Sequence, residues 1–193
     1  MKAICLDGEA IADSLRDPSR FAVVFDRHFA SIHAYLRRRV DAQLADELSS
    51  QTFLIAFDAR AGYDCGHENA RPWLFGIATN LLRNHRRREV RELRARAAMD
   101  CSAVAEAPEG VEERLDALRM RSRLAEALAG LPAEEADVLL LIVWAELGYA
   151  EVSESLAIPM GTVKSRFSRA RQRLRDRLAA EDPTASTNKE ELT

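Results

Sequence analysis

The chain has 193 residues, 28 Lys and Arg against 31 Asp and Glu, a formal net charge of −3, and 47% hydrophobic against 31% charged residues. That apolar share excludes a wholly disordered chain, and the longest apolar run, Val138 to Ala145, is far shorter than the roughly 20 residues that cross a bilayer. Cys5, Cys65 and Cys101 are too widely spaced for a disulfide framework or a Cys-x-x-Cys site, and the few apolar residues after Lys2 make no secretory signal, so a cytoplasmic protein with reduced thiols is expected.

In chain order, residues 1–15 read as a mobile polar segment. Phe21, Val24, Phe25, Phe29, Ile32 and Leu36 recur every three or four positions, which is one helical face. A second helix is expected from Ala42 to Asp58, with Leu44, Leu48, Thr52 and Ile55 on one stripe and Phe53 and Phe57 beside it. Gly62 to Arg71 forms a polar loop before Leu74, Ile77, Ala78 and Leu81 resume helical spacing, and residues 16–96 make one compact unit. Residues 97–114 read as a flexible linker, since Ala97 to Gly110 carries Pro108, Gly110 and acids without bases.

Helical spacing returns with Leu115, Leu118, Leu124 and Leu128 and stops at Gly130. Pro132, Glu134 and Glu135 open the next helix, which is expected to end at Gly148. A short helix from about Ala150 to Leu156, a turn over residues 157–161, and a long helix capped by Thr162 and running to about Leu178 complete a second unit, residues 115–180. Residues 181–193 are a polar tail, no strand is convincing, and the fold is expected to be all-α in two small helical domains.

The near-neutral total is a cancellation. Arg83 to Ala98 carries +5 and Thr162 to Leu178 carries +6, so the remaining residues carry −14, of which −5 lies in residues 100–113. Two basic helices in one acidic chain are the footprint of a protein that meets nucleic-acid phosphates at two places.

Gly148 to Arg166 has the layout of a helix-turn-helix. Val163, Phe167, Ala170, Leu174 and Leu178 pack inward, leaving Lys164, Ser165, Ser168, Arg169 and Gln172 outward, where they could meet base edges in a major groove. The run Pro159-Met160-Gly161-Thr162-Val163-Lys164-Ser165-Arg166, with Ser168-Arg169-Ala170-Arg171, resembles region four of bacterial sigma factors of the extracytoplasmic-function branch. That resemblance implies recognition of the duplex promoter element near −35, with Lys164, Ser165, Ser168 and Arg169 on the base-reading face and Arg166, Arg171 and Arg173 on phosphates. Ser153 stands where the family often has Ala.

Residues 20–96 resemble region two of the same family. Arg71-Pro72-Trp73-Leu74-Phe75-Gly76-Ile77-Ala78-Thr79-Asn80 matches its Trp-Leu-x-x-Ile-Ala-x-Asn signature. The resemblance implies melting of the promoter near −10, with a pocket at Tyr63, Asp64, Cys65, Gly66 and His67, and with Trp73, Asn80, Arg83, Asn84 and Arg87 along the single strand. The loop departs from the commoner basic Arg-Gly form, and Asn84 replaces a frequent Asp. Asp46 to Leu54 resembles the helix that docks on the clamp helices of the largest catalytic RNA polymerase subunit, which assigns Asp46, Glu47, Leu48, Gln51, Thr52 and Phe53 to polymerase binding. Region four would meet the flap of the second subunit, and an anti-sigma factor is the implied control.

His28, His33, His67 and His85 have no ligand spacing, and no catalytic constellation, metal or cofactor is expected. A stand-alone helix-turn-helix regulator and a nucleic-acid enzyme are the alternative readings; the former would not need the Trp73 to Asn80 signature.

Overall fold

The computed structural model describes residues 6–99 and 123–180. The expected linker core, the helix positions Leu115 and Leu118, the C-terminal tail and residues 1–5 lie outside the described residues. Within them the chain is helical: α1 (Asp7–Ser14), α2 (Ala22–Arg37), α3 (Ala42–Ala59), α4 (Arg71–Met99), α5 (residues 123–129), α6 (Ala133–Val143), α7 (Tyr149–Leu156) and α8 (Met160–Ala180), with 3₁₀ turns at Pro18–Phe21 and Arg60–Gly62.

The starts of these helices are written locally. Asp41 accepts a hydrogen bond from Leu44 N (2.9 Å) and caps α3, while Glu151 Oε2 accepts from Gly148 N (2.7 Å) and caps α7. Gly148 therefore opens α7 and does not close α6, which stops at Val143, followed by Glu146 in the left-handed region (φ 53°). α8 opens at Met160, so Thr162, expected as its cap, lies inside the first turn and donates its N–H to Pro159 O (2.8 Å).

Val24, Ile32, Tyr35 and Leu36 of α2, Leu48 and Phe53 of α3, and Leu74, Phe75, Ala78 and Leu82 of α4 form the first core. Each large side chain buried this way contributes about 1.5–3 kcal/mol. Ile55, expected on the inner stripe of α3, is instead 41% exposed beside Leu54, because Thr52, Phe53 and Ala56 take the inward face. Asp7–Ser14, expected in a mobile segment, is helix α1, with Ala10 and Ile11 buried in the same core.

The second unit packs α6, α7 and α8 around Val138, Leu141, Val152 and Val163, and its core is continuous with the first. α7 crosses α4 closely because position 76 is Gly: a Cβ there would stand 2.6 Å from Ser155 O. Across the same seam Arg71 Nη2 donates to Ala145 O (2.6 Å), and Asn69 Nδ2 donates to Glu151 Oε1 (3.3 Å).

Candidate nucleic-acid interface

On α8, Val163 and Ala170 are buried and Phe167 and Leu174 partly so, which fixes the helix rotation. Lys164, Ser165, Ser168, Arg171 and Gln172 are exposed. The flank toward α6 behaves differently. Arg166 pairs with Glu134, while Arg169 Nε and Arg173 Nε lie 3.6 and 3.1 Å from Glu135 carboxylate oxygens. Arg169, expected to read bases with Lys164, thus shares a carboxylate with Arg173 and stands on the α6 flank. Gln172 donates to Asp176 Oδ1 (2.7 Å) along the outward face.

On α4, spacings of three and four place Trp73, Ile77, Asn80, Asn84 and Arg87 on one stripe. Asn80, Asn84 and Arg87 are exposed, and Trp73 is half-buried with its ring 4.7 Å from that of Tyr63. Burial and the carboxylates of Asp7 and Glu154 push the Tyr63 hydroxyl up to about 12, so it stays a donor, here to His67 O (3.3 Å). Asp64 Oδ1 accepts from Gly66 N (2.9 Å), and His67 N donates to Asp64 O (3.0 Å), which shapes an exposed turn. The structure therefore brings the loop against the Trp73 end of the stripe.

Arg83 stands apart from that stripe. Its Nε donates to Asp137 Oδ2 (2.5 Å), and Asp137 Oδ1 accepts from Arg39. Asp137 and Arg39 are 1% and 2% exposed, a buried ion pair between the two units. Burial works against the Arg39 charge, but Tyr35 and Asp137 hold its pKa above the usual arginine value; Arg86 is pushed down by burial and by Arg39. A cleft of about 350 Å³ between the units is lined by Arg39, Arg83, Arg86 and Arg87 against Glu134 and Asp137. The first turns of α6 thus place Glu134, Glu135 and Asp137 on arginines of both basic helices.

α3 presents Asp46, Glu47 and Ser50 outward with Leu54 and Ile55, while Gln51 is half-buried and donates to Glu47 Oε1 (2.8 Å). Leu48, Thr52 and Phe53, expected to touch a partner, are core residues at 3%, 0% and 5% exposure, since the inward stripe of α3 claims them. Sequence reasoning put Ile55 on the buried stripe and gave Leu54, the last residue of the docking resemblance, no role of its own; two adjacent apolar residues beside the filled stripe were the available signal of an apolar patch.

Asp7 was missed as well. Burial would raise its pKa, but hydrogen bonds from His28 and Ala70 N, with the charges of His28 and Arg27, leave it below the ordinary carboxylate value. A depressed carboxyl stabilises the fold above the ordinary carboxylate range, and that contribution is lost as pH falls through the depressed value. Asp7→Asn should therefore lower the melting temperature near neutral pH, with a deficit that shrinks in acid; melting curves across pH check this.

Among the described residues no group of three or more His, Cys, Asp and Glu could hold a metal, and no helix is long and apolar enough to cross a membrane. Fold and site together define a two-unit, all-helical protein with a helix-turn-helix in its second unit. Residues 24–92 match the family model of sigma-70 region 2, and residues 121–174 match that of sigma-70, region 4.

The chain is 32% identical over 157 residues to the RNA polymerase sigma factor HrpL of Pseudomonas syringae pv. syringae, covering 80% of this chain and 83% of that protein. Against the ECF sigma factor EcfG of Rhodopseudomonas palustris the identity is 30%, over 85% of this chain and 84% of that one. Among solved structures, CnrH in complex with the cytosolic domain of CnrY superposes with a TM-score of 0.66 at 21% identity, over 91% of this chain and 99% of that one. RpoE in complex with the anti-sigma factor NepR from Bartonella quintana gives 0.63 at 24% identity, over 84% and 98%. The chain belongs to the sigma-70 family, in its ECF branch, whose members are transcription initiation factors that direct RNA polymerase to promoters.

Proposed function

We propose that this sigma factor reads duplex DNA near −35 with the outward face of α8 and holds the opened strand near −10 with the loop 63–68 and the α4 stripe. The observation that carries this reading is the separation of the two surfaces: Lys164, Ser165, Ser168 and Gln172 are exposed on one helix, and Asn80, Asn84 and Arg87 on another whose Trp73 end meets Tyr63. A helix face carrying Lys and short hydroxyls suits groove edges, whereas a loop with an aromatic pair at the head of a polar stripe that ends in Arg87 suits unstacked bases. Arg171 is placed to meet phosphate, and Arg166, Arg169 and Arg173 can do so once released from α6.

The outer face of α3, from Asp46 to Ile55, docks on the clamp helices of the largest polymerase subunit, and the second unit meets the flap of the second subunit. Residues 16–96, extended by α1, act as region two, residues 115–180 as region four, and residues 97–114 as the tether that makes the second DNA contact intramolecular. The protein acts in the cytoplasm and performs no covalent chemistry of its own. CnrH was solved with the cytosolic domain of CnrY and RpoE with the anti-sigma factor NepR, and an anti-sigma factor holds this chain as well.

Reconstitution with core RNA polymerase and a promoter library tests the reading. Expected are sequence-specific open complexes, with Lys164→Ala weakening duplex recognition upstream and Asn80→Ala impairing opening while leaving duplex affinity intact. A protein that footprints duplex DNA alone and forms no open complex with polymerase would overturn it.

A further inference from the structure

We infer that Asp7 and Gly8, at the start of α1, are positioning residues for base readout by the loop 63–68 and so help set which base the protein prefers at the −10 element. This rests on the assignment of that loop proposed above. The loop has little support of its own: residues 64–69 are exposed, and its internal bonds are the Asp64 to His67 turn and the Tyr63 hydroxyl. Outside the loop, Tyr63 packs on Trp73, and α7 meets its exposed side through Glu154 near His67 (3.9 Å) and Glu151 on Asn69 (3.3 Å), while its buried backbone hold comes from α1.

Asp7 grips the end of the loop through two bonds. Its N–H donates to Glu68 O (3.1 Å), and its Oδ2 accepts from Ala70 N (2.8 Å). The same oxygen accepts from His28 Nε2 (2.6 Å), and the other accepts from Arg27, so the carboxylate ties the loop through α1 to α2. Asp7 is 2% exposed, which makes each of these bonds costly to lose. Gly8 supplies the second hold. A Cβ on Gly8 would stand 2.8 Å from His67 O and closer still to Cys65 O, both backbone atoms that can yield only if the loop moves. The missing side chain therefore lets the loop lie against α1, and it fixes how far Tyr63 and Asp64 project toward the α4 stripe.

A loop displaced by about an ångström would no longer present one geometry to an unstacked base, and misplacements of that size cost large factors in positioned reactions. The effect belongs to the choice among bases as well as to overall activity. That distinguishes positioning from simple support, which would lower output from every promoter alike.

The experiment measures open-complex formation by full-length protein with core polymerase on promoters that differ only at successive −10 positions, and on a second set that differs only at −35. Gly8→Ala and Asp7→Ala are compared with Tyr63→Ala and Asp64→Ala, with Asp7→Asn as the isosteric variant should Asp7→Ala fail to fold. Expected for Gly8→Ala is a change of about tenfold, equivalent to ~1.4 kcal/mol, in the ratio between best and worst base at one −10 position. Ratios across the −35 set and binding to core polymerase should stay unchanged. Uniform loss across the −10 set would overturn the inference. So would unchanged ratios in the α1 variants while the Tyr63 and Asp64 variants alter them, and that pattern leaves the loop assignment intact. Unchanged ratios in the Tyr63 and Asp64 variants would instead overturn the loop assignment itself, and the role of α1 with it.

Discussion

Asp137→Ala should weaken the docking of the two helical units on each other, and should raise the affinity of the free protein for single-stranded −10 DNA. Asp137 is the anion between Arg39 and Arg83, and its removal leaves two guanidinium groups, one of them 2% exposed, facing each other without a counter-charge. Breaking a buried ion pair from one side costs about 3–5 kcal/mol, roughly two to nearly four orders of magnitude if all of it fell on the docking equilibrium. Arg86 adds to the strain, since burial and Arg39 already disfavour its charge. The cheapest relief is to open the cleft and hydrate the arginines. The seam is also held by the continuous core and by the Arg71 to Ala145 and Asn69 to Glu151 bonds, so the ion-pair cost is an upper limit on the shift toward separated units.

Small-angle scattering would register the separation as a larger radius of gyration, and fluorescence anisotropy of a labelled single strand would register the released Arg83. The gain in affinity should fall steeply with salt, as phosphate contacts do. Unchanged dimensions together with unchanged affinity would show that the Asp137 contact does not hold the units together. Glu134 and Glu135 extend the argument to the other DNA surface, since they occupy Arg166, Arg169 and Arg173 on the flank of α8. The −14 that offsets the two basic helices is therefore spent in part at specific contacts, on one turn of one helix, where it competes directly with phosphate.

Periodicity made α2, α3, α4 and the α6 to α8 unit legible, because each buries a stripe long enough to repeat. α1 was not, for a physical reason. With eight residues it offers only Ala10 and Ile11 to the core, and its strongest bonds run to His28 and Ala70, 21 and 63 positions away. The Arg39 and Arg83 pairs with Asp137 span 98 and 54 positions and were equally invisible. Local chemistry also misled where two signals overlapped. Gly148 reads as a helix stop, yet its N–H is what Glu151 caps, and Thr162 reads as a cap although Pro159 already starts the turn. At the site, the outward face of α8 followed from spacing, whereas the α4 residues came from the resemblance to region two, which also included Arg83. Which of their arginines are occupied by carboxylates followed only from the tertiary arrangement.

Leu48→Ala and Leu54→Asp, six positions apart on α3, should fail in opposite ways. Leu48 is 3% exposed among the helices of the first unit, and its truncation removes buried methyl groups from a packed core. The expected cost is about 2–5 kcal/mol, a large fraction of the stability of a small domain. Polymerase binding, −10 opening and thermal stability should all decline together. Leu54 is 61% exposed next to Ile55 at 41%, so a carboxylate there costs the free protein little. If this face docks on polymerase, the same charge is buried without a partner in the complex, which is strongly unfavourable. Leu54→Asp should therefore keep the melting temperature and the DNA affinity of the free protein while weakening capture of core polymerase by at least about tenfold, equivalent to ~1.4 kcal/mol. Melting curves and a competition assay for core enzyme separate the two outcomes, and normal polymerase capture by Leu54→Asp would move the docking surface off this face of α3.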